Sequence, residues 1–130
     1  MRPTILVIEH DPDLARLFES ILMIEGYRVW IDPHIEAASK TLAHTTPDLI
    51  VYDWPSTQPI DYLWFDATRT AQEQANVPVV LVCDELPPRA TRNLLNGMGI
   101  PIIEKPFELV RFCRTLEALM PVRERVIGGW

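Results

Sequence analysis

Residues 47–53 read PDLIVYD, an apolar run that ends on a single carboxylate, Asp53. A short run of branched aliphatic residues bounded by a proline is typical of a strand that is buried on both faces. A charge at the end of such a strand is costly unless it has a partner or a task. We therefore interpret Asp53 as a functional residue at the carboxyl end of a central strand.

Three other apolar runs, at residues 5–8, 79–82 and 100–103, end in the same way. The residues that follow them carry reactive side chains: Glu9-His10-Asp11, Cys83-Asp84 and Glu104-Lys105-Pro106. In an open parallel sheet the carboxyl ends of the strands lie along one edge, and ligands bind there. The sequence therefore predicts a crevice that gathers carboxylates, an imidazole, a thiol and an ammonium group.

Strand and helix patterns alternate five times along the chain. Asp11 can cap a first helix that begins at Pro12 and ends at Gly26. Further helical spacing is found over residues 35–42, 60–71, 88–96 and 109–119. Such alternation indicates an α/β domain with a parallel sheet covered on both faces. We assign it to residues 1–121, followed by a C-terminal tail at residues 122–130.

The helical spacing also predicts which side chains of the first and last helices face the core. Those residues are Leu14, Leu17, Phe18, Ile21 and Leu22 in the first helix, and Leu109, Val110, Phe112, Cys113, Leu116 and Leu119 in the last.

Composition narrows the class of protein. The chain has 130 residues, is 48% hydrophobic and carries a net charge of -6 from 18 acidic and 12 basic residues. The basic residues are scattered, which argues against nucleic-acid binding. The apolar runs are too short to span a membrane and no signal-peptide pattern follows Met1, so we expect a cytoplasmic protein. Cys83 and Cys113 have no metal-type spacing, and no disulfide is expected.

Four segments together resemble the receiver domain of bacterial response regulators. They are residues 5–14, residues 47–53, Val77-Pro78-Val79-Val80 and Lys105-Pro106-Phe107. The resemblance covers residues 4–120 and extends to the order and spacing of the segments. It implies a flavodoxin-like fold, a three-layer sandwich with five helices and a five-stranded parallel sheet of order 2-1-3-4-5. It also implies a signalling module rather than an enzyme.

The resemblance implies phosphoryl transfer to Asp53 from a sensor histidine kinase or a phosphotransfer protein. The attack brings negative charges together, so the family uses Mg²⁺ and an ammonium group, here Lys105, to hold the transferring oxygens. A cis peptide bond between Lys105 and Pro106 would aim that side chain. The implied metal ligands lie at Glu9, His10, Asp53 and the backbone carbonyl of Pro55.

This chain departs from the family pattern at the site itself. His10 replaces the second acidic metal ligand, and imidazole suits Zn²⁺ or Mn²⁺ better than Mg²⁺. Cys83 stands at the position of the serine or threonine whose hydroxyl binds the phosphoryl group, and a thiol is a weak donor. Ile102 stands at the position of the switch aromatic. We expect Mg²⁺ binding to be weak or absent, with Mn²⁺ or Zn²⁺ as alternatives.

Two hypotheses for function follow. In the first, the chain accepts a phosphoryl group and docks to a downstream protein through the predicted fourth helix, fifth strand and fifth helix. In the second, it is a pseudo-receiver that acts without phosphorylation as a binding or dimerisation module. This second hypothesis includes a homodimer. An unrelated flavodoxin-like enzyme is disfavoured, because no glycine-rich phosphate loop follows the first strand.

Overall fold

Five strands and four helices are found in the residues that the computed structural model describes, which are 2–55, 69–70 and 76–120. In chain order the elements are β1 (Thr4–Ile8), α1 (Pro12–Ile24), β2 (Arg28–Asp32), α2 (Ile35–His44), β3 (Leu49–Trp54), β4 (Val79–Cys83), α3 (Arg89–Gly97), β5 (Ile102–Glu104) and α4 (Leu109–Leu119). The predicted helix at residues 60–71 lies outside the described residues, except for the helical residues 69–70. The predicted tail at 122–130 also lies outside them.

The strands form one sheet in the order β2-β1-β3-β4-β5, and every neighbouring pair is parallel. This order confirms the predicted flavodoxin-like α/β fold. Successive strand residues point to opposite faces of the sheet, so each strand supplies both sides of the core. On one side the sheet packs against Ile35, Ala38 and Leu95, and on the other against Phe18, Leu22, Phe112 and Leu116. Burying each large aliphatic side chain contributes roughly 1.5–3 kcal/mol.

Local signals define where the helices begin and end. The Asp11 side chain accepts a hydrogen bond from the backbone N–H of Asp13, and Pro12 is the first residue of α1, as predicted. The chain leaves α1 through Gly26, whose φ of 96° favours glycine. The sequence did not predict the cap of α2, where His34 Nδ1 accepts from the backbone N–H of Ala37. Histidine is not among the preferred capping residues.

Of the eleven predicted core residues in the first and last helices, five are buried, three are half-buried and three are exposed. Phe18, Leu22, Phe112, Cys113 and Leu116 are buried, whereas three predicted core residues are exposed: Leu17 (55%), Leu109 (44%) and Val110 (52%). Leu109 is the first residue of α4, in line with the buried Phe112 and Leu116 but at the end of the helix. Leu17 and Val110 lie beside the stripe that faces the sheet. The apolar surface of both helices is wider than the strip that the sheet covers, and spacing alone does not show which edge is left open.

Both cysteines are free and buried. Among the helices in the described part of the chain, none combines the length and the apolar character that crossing a membrane requires.

Candidate functional site

The strand register brings the predicted site residues to one edge of the sheet. Ile8 of β1 is level with Tyr52 of β3, so the next residues along, Glu9 and Asp53, are neighbours. Cys83 of β4 is level with Glu104 of β5, and the backbone N–H of Lys105 donates to the Cys83 carbonyl at 2.8 Å. The crevice proposed from the sequence is therefore assembled by the carboxyl ends of four neighbouring strands.

Asp53 and Lys105 form an ion pair at the centre of this edge. Asp53 is only 3% exposed, and Lys105 Nζ lies 2.6 Å from its Oδ2. The peptide bond between Lys105 and Pro106 is cis, as the family resemblance implies. Burial by itself would lower the pKa of Lys105, but the hydrogen bond and charge of Asp53, with Asp84 and Glu9, raise it above its ordinary value. Lys105 is therefore a fixed ammonium group.

Glu9 is a buried carboxyl group with an incomplete set of partners. The residue is 2% exposed, and its Oε1 accepts a hydrogen bond from the backbone N–H of Asp11 at 3.0 Å. Its Oε2 has no donor among the residues that the structure describes. Burial and a side-chain hydrogen bond to Asp53 raise the pKa of Glu9 to about 8. Near neutral pH, Glu9 therefore carries a proton that it can donate to Asp53.

Cys83 is enclosed at the end of β4. It is fully buried, and its thiol lies 3.9 Å from the carbonyl oxygen of Ile103 in β5. Burial, followed by the charges of Glu104, Asp53 and Asp84, raises the pKa of Cys83 to about 11. The side chain is therefore a neutral thiol close to the backbone of β5. It is a poor nucleophile, because the thiolate is the reactive form.

His10 and Pro55 lie at the margins of the site. The His10 side chain is 61% exposed, with its Nδ1 3.3 Å from Glu9 Oε1, and Pro55 directly follows β3. No group of three or more histidine, cysteine, aspartate or glutamate side chains in residues 2–55, 69–70 and 76–120 is arranged to hold a metal ion.

Two adjacent carboxyl groups are nevertheless the hard oxygen donors that Mg²⁺ prefers. Glu9 Oε2 is buried beside Asp53 and has no donor within the described ranges, which is the environment that a cation would complete. The residues present therefore fit a divalent ion of this type, and the exposed imidazole of His10 adds no negative charge to them.

Asp84 is a strand-end residue that the sequence predicts at this crevice, and the family resemblance implies that it adds a negative charge near the phosphoryl position. Its Oδ1 lies 3.9 Å from Lys105 Nζ, and its side chain is 68% exposed. The register between β4 and β5 explains this contact. Cys83 pairs with Glu104, and Asp84 and Lys105 are the residues that follow them.

Comparisons with known proteins agree with this architecture. No protein-family model matches the chain. Protein Rrf1 of Nitratidesulfovibrio vulgaris is 30% identical over 113 residues, which are 85% of this chain and 77% of that protein. A response regulator receiver protein from Sinorhizobium medicae is 28% identical, with a TM-score of 0.76 over 95% of this chain and 98% of that one.

A more distant structure shares the fold. The response regulator protein TrrA from Thermotoga maritima, solved in complex with Mg²⁺-BeF, is 18% identical, with a TM-score of 0.71 over 92% of this chain and 100% of that one.

Proposed function

The chain belongs to the receiver domains of response regulators, and from that membership we propose that it serves two-component signalling by accepting a phosphoryl group on Asp53. The observation that supports the proposal most is the 2.6 Å contact between Asp53 Oδ2 and Lys105 Nζ at the carboxyl end of β3. The acting unit is the domain at residues 1–121, in the cytoplasm, and its phosphoryl donor is a sensor histidine kinase or a phosphotransfer protein.

The proposed reaction is an in-line displacement at phosphorus. An oxygen of Asp53 forms the new O–P bond, while the bond between phosphorus and the donor's imidazole nitrogen breaks, leaving the electron pair on that nitrogen. Lys105 is held where its ammonium group can bind an oxygen of the transferring group. A protonated Glu9 would oppose the attack, because a carboxylate that accepts a hydrogen bond is a weaker nucleophile.

The proposed metal ligands are Glu9, His10, Asp53 and the backbone carbonyl of Pro55. Mg²⁺ held there would supply positive charge against the carboxylate and the phosphoryl oxygens. At position 10 the chain offers an exposed imidazole where an acidic residue would offer a charged oxygen. This difference is the reason that we expect weak Mg²⁺ binding and comparatively stronger Mn²⁺ or Zn²⁺ binding.

Replacing His10 with aspartate should therefore tighten Mg²⁺ binding by about tenfold, which corresponds to about 1.4 kcal/mol. Trp54 follows Asp53 and is buried, so its fluorescence can report the titration. His34→Asp is a matched control, because the His34 side chain is 58% exposed and aspartate can also cap α2. If the wild type binds Mg²⁺ as tightly as His10→Asp does, the imidazole does not lower the affinity for Mg²⁺ and this explanation is wrong.

We propose that downstream partners dock on the face formed by α3, β5 and α4. A groove of about 410 Å³ lies on the β5 and α4 part of this face, lined by residues such as Ile103, Phe107, Arg111 and Thr115. In α3, the side chain of Leu94 is 53% exposed. Apolar and charged groups side by side suit recognition of a protein surface.

A second candidate function is a phosphorylation-independent binding or dimerisation module. The observation that favours it is the environment of Cys83, a buried weak donor near the Ile103 carbonyl in place of a hydroxyl that could bind a phosphoryl oxygen. A site that binds the phosphoryl group weakly shifts the conformation of the docking face only slightly.

Amide NMR spectra with Mg²⁺ and beryllofluoride, a phosphoryl analogue, test both candidates. Binding should shift the resonances around Asp53, and Asp53→Asn should remove those shifts. Because Cys83 and Ile102 supply neither a strong donor nor a ring, we expect little change over residues 89–96 and at Ile102. Large shifts there would show a working switch and argue against the second candidate. A spectrum without shifts at Asp53, at saturating analogue, would contradict the phosphoryl-acceptor function.

A further inference from the structure

The ammonium group of Lys105 is shared between two carboxylates of different character. Lys105 Nζ is 2.6 Å from Asp53 Oδ2 and 3.9 Å from Asp84 Oδ1. The Asp53 side chain is 2% exposed, that of Lys105 19% and that of Asp84 68%. Asp53 is thus at the bottom of the site and Asp84 on its solvent side, with the cation between them.

The sheet holds Asp84 in this position. Cys83 and Glu104 are register partners, and the backbone N–H of Lys105 donates to the Cys83 carbonyl at 2.8 Å. Asp84 and Lys105 therefore leave two hydrogen-bonded strands at the same level. The backbone register therefore places Asp84 within reach of the Lys105 side chain.

We propose that Asp84 lowers the affinity of this site for a phosphoryl group, by competing for Lys105 and by repelling the incoming anion. The proposal rests on the phosphoryl-acceptor function put forward above. A phosphoryl group on Asp53 must contact Lys105 to be stabilised, and it brings negative charge next to the carboxylate that already interacts with that cation. Two like charges near a partly exposed site repel each other, although water and salt screen the effect.

The consequence is that residue 84 sets how much of the protein carries the modification. With aspartate there, the loaded state is disfavoured relative to a chain with a neutral residue at that position. Asp84 therefore tunes the affinity for the bound anion, while Asp53 remains the acceptor and Lys105 the stabilising cation.

The test is a titration with beryllofluoride at fixed Mg²⁺, read by Trp54 fluorescence. Asp84→Asn and Asp84→Ala should each bind the analogue about tenfold more tightly than wild type. The gain should shrink at high salt, because Asp84 is exposed. Glu117→Gln is the matched control, since it removes the same charge from an exposed position in α4, and its affinity should equal that of wild type.

The outcomes separate this proposal from the function on which it rests. Equal affinities of wild type and both Asp84 variants, with binding observed, would overturn the role of Asp84 and leave the acceptor function intact. Weaker binding by the variants would overturn it too, because Asp84 would then assist binding. If Glu117→Gln gained as much affinity for beryllofluoride as Asp84→Asn, the change in net charge would explain the effect, and the proposed role of Asp84 would be overturned. If no protein binds the analogue at any concentration, the acceptor function itself fails and the role of Asp84 with it.

Discussion

In the absence of divalent ions, the free energy of unfolding should fall as the pH rises from about 5 to 9, and Glu9→Gln should remove most of that fall. The pKa of Glu9 is raised from 4.5 to about 8, by burial first and then by the hydrogen bond to Asp53. Between those two values the folded state binds the proton more tightly than the unfolded state. Stability from this group is therefore complete below the unfolded pKa and is lost as the pH rises through the folded one.

The expected slope is at most about 1.4 kcal/mol per pH unit, the value for one proton. Because Glu9 and Asp53 interact, the proton belongs to the pair, and the measured midpoint describes both groups together. Glutamine at position 9 keeps the shape of the side chain without a titrating proton, and its amide can still donate to Asp53.

Urea unfolding at several pH values in EDTA measures this effect. Wild type, Glu9→Gln and the exposed control Glu117→Gln should be compared, since all three share the same histidines and chain termini. The control should follow wild type, and Glu9→Gln should be nearly flat and more stable than wild type at pH 9. Parallel curves for all three proteins would contradict the assignment of a buried, protonated Glu9.

The fold was predictable because strong signals agree at several levels. The runs at residues 5–8, 49–52 and 79–82 are typical of buried strands, and the patterns between them indicate helices on both faces. The order of the strands came from the resemblance to receiver domains, and the register then placed the residues that follow each strand. Leu17 and Val110 were predicted to be buried but are exposed. Helical spacing shows that a residue is close to the apolar stripe, but it does not show where the buried part of the stripe ends.

The composition of the site was predictable, but its protonation and its outer contacts were not. Asp53, Lys105 and Glu9 share one edge because strand ends meet there. The raised pKa of Glu9 depends on how deeply Asp53 and its neighbours bury it, which is a property of packing and not of spacing. The contact between Asp84 and Lys105 depends on the pairing of β4 with β5, which the sequence alone does not reveal residue by residue.

Phosphorylation of Asp53 is the central claim, and the intact mass of the protein after incubation with acetyl phosphate tests it most directly. Incubation with Mg²⁺, and in parallel with Mn²⁺, should add one phosphoryl group to the wild type. Asp53→Asn should abolish the addition, because the amide cannot form the acyl phosphate. Asp13→Asn, at an exposed position in the first turn of α1, should be modified as wild type is. A wild type that stays unmodified with both metals, or an Asp53→Asn variant that still gains the group, would contradict the account.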